Sequence, residues 1–269
     1  MSALAHLNPW LGMLAVCVSM LSLMLGLRIL QRRCELAPET ARKLFHLGGG
    51  ALALSLPWLF QEIWPVLLLT GVTIGTFTAL RGIPALARGL GQVLHAVSRR
   101  SHGEFYFPLG VCVVFLLAGS ATVSYVVSIL VVAVADSSAA LIGAAYGRHH
   151  FWGARGGKTV EGSTAFFLAS FLCVHVPLLL WTDTGELESL LIGLNLALIL
   201  MLAEAVARRG TDNLLLPVLT LVLLNVFLDK PALDLIVHLS AISCLLLLVS
   251  SWRFRAVLFR EPMAPGVFK

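Results

Sequence analysis

The sequence predicts an all-α fold: a polytopic bundle of about nine membrane-crossing helices, N-terminus outside and C-terminus in the cytosol. Three observations predict it. Apolar residues make up 58% of the chain and charged residues only 12%, with a mean hydropathy of +0.92, too much apolar surface for one soluble core to hide. Apolar stretches matching the roughly 20 helical residues needed to cross a hydrocarbon layer recur along the whole length. The basic residues then fall almost entirely on one side of the spans so defined.

The spans lie near 10–30, 44–60, 63–80, 105–119, 121–147, 160–181, 189–207, 213–228 and 231–250. The second and fourth are short and carry Pro57 and Pro108, and the run at 84–97 reads as an amphipathic interfacial helix within a loop. With the N-terminus outside, 18 of the 19 Lys and Arg lie on the inner side and only Lys230 outside, the division the positive-inside rule requires. The net charge of +5 is therefore topology and not nucleic-acid binding. No basic stretch precedes the first apolar run, so that helix is expected to stay in place. Five scattered cysteines show no CxxC spacing and read as packing residues. Residues 1–269 form one membrane domain, without repeats or a loop long enough for a second.

This topology gathers the polar residues. Helices two, four, six and eight start on the cytosolic side, at "ARKLFH" (41–46), "HGEFYFPLG" (102–110), "GGKTVEGS" (156–163) and "GTDNLLLP" (210–217). A helix start presents unpaired N–H groups and the positive end of its dipole, which suits phosphate. Measured from the outer ends at 1.5 Å per residue, Asp136 and Glu204 reach similar depths, about 20 Å in. An Asp inside a spanning helix costs about 3 kcal/mol and marks a cavity or a partner. Ala140, Gly143 and Gly147 follow it at helical spacing, leaving a bare face for close helix packing or for a ligand. The loop "GARGGKT" falls one residue short of a P-loop, with Trp152 where the first Gly would stand, and no strand precedes it. Its chemistry remains: glycines to wrap phosphate, Lys158 to neutralise it and a helix start behind them. Nearby carboxylates suit Mg²⁺.

The run from Asp136 to Gly162, with Gly143, Gly147 and Gly-Lys-Thr-x-Glu-Gly, resembles the CTP-dependent lipid kinases (dolichol, phytol and CTP-using diacylglycerol kinases), cousins of phosphatidate cytidylyltransferase. Arg42-Lys43 with His46, "GEFYFPLG" and "DNLLLP" match further pieces in the same order, so the likeness spans about 40–220. The late Pro-Gly-His-Gly-Gly signature of the cytidylyltransferases is missing, and Asp212-Asn213 stands in its place.

The resemblance implies transfer of the γ-phosphate of CTP to a membrane isoprenoid alcohol at the cytosolic face, in the inner membrane of a bacterium or the endoplasmic reticulum of a eukaryote. Lys158, Gly156, Gly157 and Thr159 would hold the triphosphate, with Gly143, Gly147 and Asn213 beside it. Arg42 and Lys43 would cap it. Asp136 would hold Mg²⁺ or take the hydroxyl proton, with Glu204 and Asp212 as further metal ligands. Glu161 and His46 complete the expected catalytic set, although Glu161 could merely pair with Lys158 three residues away and His46 could merely pack. A CDP-lipid synthase, a diacylglycerol kinase and an ion-coupled transporter are the other readings, the transporter disfavoured because the polar clusters sit on one face and no inverted repeat is visible.

Overall fold

A computed structural model describes residues 8–83, 102–150 and 158–258, with side chains described as far as 248. The interfacial helix expected at 84–97 and the glycines Gly156 and Gly157 lie outside the described residues. Ten helices follow one another: α1 (Pro9–Cys34), α2 (Pro38–Leu54), the single turn α3 (Leu56–Leu59), α4 (Ile63–Gly82), α5 (Gly103–Ala118), α6 (Thr122–Tyr146), α7 (Val160–Trp181), α8 (Glu186–Val206), α9 (Asp212–Leu228) and α10 (Ala232–Leu258). Five of them, α1, α4, α6, α7 and α8, are long and apolar enough to cross a membrane.

Each expected span has its helix, but three boundaries differ. The second begins at Pro38 instead of 44, because proline at the first helical turn starts a helix at no hydrogen-bond cost, so the whole "ARKLFH" cluster is helical. It then breaks at Ser55, ahead of Pro57, into α3. The last helix runs on past 250 to Leu258.

The centre of the bundle is α6, with 61% of its most apolar window buried against 17% for α1 at the edge. One core packs α6 against α7, α8 and α9 through Val127, Val131, Phe166, Leu196 and Leu216. A second joins α5 and α6 to α3 and α4 through Leu56, Val66, Val114 and Ile129. α6 is not a uniform helix: Val131–Ala135 forms a π-turn, immediately before Asp136. α2 lies antiparallel to it, and their register is fixed at both ends. Tyr125 donates its hydroxyl to the Ala53 carbonyl (2.8 Å), and a Cβ on Gly50 would run into Ala133 of the π-turn. Gly110 plays the same part between α5 and α9, where a Cβ would come within 2.5 Å of the Asn213 carbonyl.

Candidate active site

Lys43, His46 and Gly50 share one face of α2 at i, i+3 and i+7, the face turned to the π-turn. Lys43 Nζ meets Asp136 Oδ2 at 2.5 Å, and both residues are buried. The pair satisfies two charges that would each be costly alone in this interior. His46 Nε2 lies 3.0 Å from the Val132 carbonyl and 3.8 Å from Asp136 Oδ2. A carbonyl only accepts, so Nε2 carries a proton. The imidazole edge rests on Phe107, with ring centroids 4.5 Å apart.

A second cation sits opposite. Lys158 Nζ is hydrogen-bonded to the carboxylate and the main-chain carbonyl of Glu204, and lies 3.6 Å from Asp212 Oδ2. Lys158 also acts electrostatically on Asp136, and Asp136 on Glu204, so the two ion pairs form one charge cluster. The helix ends explain the convergence. Lys158 immediately precedes α7, Glu204 lies in the last turn of α8, and Asp212 opens α9. The α5 start joins them because His102 N–H donates to the Arg209 carbonyl (3.0 Å) in the turn before α9.

Other expected residues sit differently. Arg42 is held by Glu39 through both nitrogen arms, at 2.5 and 3.1 Å. Glu161 does not pair with Lys158: its carboxylate takes His149 Nδ1 at 2.7 Å, while Lys158 turns inward to Glu204. The bare face of α6 is filled. Thr159 caps α7 by accepting from Gly162 N–H (3.1 Å), and its buried side chain is what a Cβ on Gly143 or Gly147 would strike. Close packing therefore explains both glycines, and Thr159 is tied to the helix start.

Four buried oxygens near these elements have no hydrogen-bond partner: Glu204 Oε2, Asn213 Oδ1, Ser137 Oγ and Ser163 Oγ. Unpaired buried polar atoms are rare, and a water, an ion or a ligand would satisfy them. The two serines are not among the residues expected from sequence. Their signal was position alone, directly after Asp136 and within the first turn behind Lys158. Among the described residues no three His, Cys, Asp or Glu side chains gather closely enough to hold a metal unaided. Mg²⁺, however, is commonly bound by one or two carboxylates together with substrate phosphates, and the free oxygen of Glu204 beside Asp212 fits that mode.

An apolar cavity of about 310 Å³ runs between α1, α2, α4 and α5, with Arg42, His46, Glu104 and Asn213 at its polar end.

No family model matches the chain, and no solved structure matches it. Among curated proteins it is 32% identical over 221 residues to the phytol kinase of Synechocystis sp., an alignment covering 78% of this chain and 91% of that protein. With a multi-helix membrane bundle and the Asp136-to-Gly162 run in place, the chain belongs to the polyprenol-type lipid kinase family that includes phytol kinase.

Proposed function

We propose that the protein transfers the γ-phosphate of CTP to the hydroxyl of a membrane isoprenoid alcohol, at the cytosolic face and with Mg²⁺. The observation that carries this reading is the paired charge cluster, Lys43–Asp136 beside Lys158–Glu204–Asp212, linked to an apolar cavity through His46, which lines the cavity and lies 3.8 Å from Asp136. Phosphoryl transfer asks little covalent chemistry of a protein; it asks for cations on the phosphates and a carboxylate near the attacking oxygen.

In the reaction the alcohol oxygen bonds to the γ-phosphorus, the bond from that phosphorus to the β–γ bridging oxygen breaks, and CDP leaves with the electron pair. Asp136 accepts the hydroxyl proton. Lys43 holds Asp136 in place and keeps the resting carboxylate paired. Lys158 exchanges Glu204 for the triphosphate, and Arg42 at the cavity mouth supplies further positive charge. Glu204 and Asp212 would hold Mg²⁺, which neutralises the β- and γ-oxygens when bound.

CTP labelled at the α or γ position, incubated with membranes and lipid alcohol, tests the reading. γ label in a lipid monophosphate is expected. α label in a CDP-lipid would make the protein a cytidylyltransferase, and label in no lipid would remove the kinase reading.

A further inference from the structure

The apolar cavity has the form of a chain site with a head and a side door. Along α2 it extends from Arg42 to Ala53, about 16 Å at the helical rise. Two of its three wall threonines are masked: Thr73 and Thr76 spend their hydroxyls on the Leu69 and Val72 carbonyls (2.7 Å each). The charged and ionisable lining residues, Arg42, His46 and Glu104, lie with Asn213 at the starts of α2, α5 and α9. There Asn213, 7% exposed and with a side-chain oxygen that has no partner, lines the same space as His46.

The door lies between α1 and α4. These helices meet at one end through Trp10 and Trp64, with centroids 5.4 Å apart. At the other end Met24 and Leu27 cluster with Phe77 and Leu80. Between the two clasps Leu21 and Val72 line the cavity while remaining 50% and 55% exposed on the flank of the bundle. On a helix flank of a membrane protein that exposure is to hydrocarbon. A lipid alcohol entering here never carries its chain through water, a cost that would grow with every methylene. The volume stands at the lower end of small-molecule sites, which span about 300–1,000 Å³.

Resting on the lipid kinase reading, we propose that this cavity seats the hydrocarbon chain of a single-chain isoprenoid alcohol. The chain is admitted from the bilayer between α1 and α4, and the hydroxyl is delivered to Asn213 and His46 beside Asp136.

Two measurements on the full-length protein test it. Gly49→Leu and Thr73→Phe fill the cavity, and Leu180→Trp on the outer face of α7 is the control. The turnover ratio of dimethylallyl alcohol to geranylgeraniol should rise about tenfold or more in the first two, as expected when pocket space for a chain is lost, and hold in the control. Separately, a diazirine-bearing geranylgeraniol analogue should label 17–24 and 66–77 in the wild type and be displaced by farnesol but not by phosphatidylcholine. If the wild type phosphorylates these alcohols while both filling variants keep its ratio, the chain site is wrong and the kinase reading stands. If no alcohol is phosphorylated but the label still falls on α1 and α4 and farnesol displaces it, the kinase reading fails and the site stands. Label scattered over α7 and α8, or displaced by phosphatidylcholine, overturns the proposal.

Discussion

Lys43 and Asp136, 93 residues apart in the chain, form a buried ion pair at 2.5 Å. The contact joins the second turn of α2 to the residue that follows the π-turn of α6. Removing either partner strands the other, at a cost of about 3–5 kcal/mol. Lys43→Met is therefore expected to lower the detergent-solubilised melting temperature. Combined with Asp136→Asn it should recover most of that loss without recovering turnover. A double variant as unstable as Lys43→Met alone would show that the pair is not the source of the loss.

Asp136→Asn by itself keeps the shape of the side chain and removes its charge. We expect insertion to persist with a melting temperature lowered by the stranded Lys43, and kinase turnover per folded protein reduced about 10²–10⁴-fold, the contribution of a positioned general base. Turnover close to wild type would take Asp136 out of the chemistry.

The unpartnered Glu204 oxygen leads to a metal prediction. Glu204→Gln should raise the Mg²⁺ concentration for half-maximal rate by about 10-fold or more, and Lys158→Ala should raise the nucleotide KM instead. Chelation should abolish turnover in wild type. If Glu204→Gln leaves the Mg²⁺ titration in place, the metal is held elsewhere.

Gly147 tests packing against ligand binding on α6. A Cβ there would meet the Gly143 carbonyl and Thr159 at once, so Gly147→Ala should cost about 1–3 kcal/mol by overpacking. The fall in melting temperature should be present in nucleotide-free protein. A variant stable when free of nucleotide but weak in nucleotide binding would return Gly147 to the ligand.

Topology can be read with reporter fusions. The 18-to-1 division of basic residues predicts that the two ends lie on opposite sides of the membrane. Fusions at residue 8 and beyond 258 reporting the same compartment would break the nine-span count.

The helices were legible because spanning a bilayer demands long apolar runs, and the site segments because a charge inside such a run is costly. Partnerships were less so. Lys43 read as a phosphate contact since nothing local ties it to Asp136, and Glu161 read as a neighbour of Lys158 because i,i+3 spacing says nothing of His149, which lies beside the start of α7 next to the His150–Thr159 bridge. The cavity left no mark at all. Its walls on α1 and α4 are apolar, as any lipid-facing side chain would be, and only the clasps at Trp10–Trp64 and Met24–Phe77 reveal a space between them.

The π-turn at Val131–Ala135 has a consequence for the history and redesign of this helix. A π-turn holds one residue more than the α-turn it replaces, and one residue rotates everything beyond it by about 100°. The upstream half of α6 is phased for its neighbours through Val127 and Ile129, whereas the downstream half is phased for Lys43 through Asp136. An even helix could satisfy one phase or the other. The segment thus behaves like an ordinary span that gained a single inserted residue, and deleting one residue from it would leave a sound hydrophobic anchor whose acid points at the wrong neighbour.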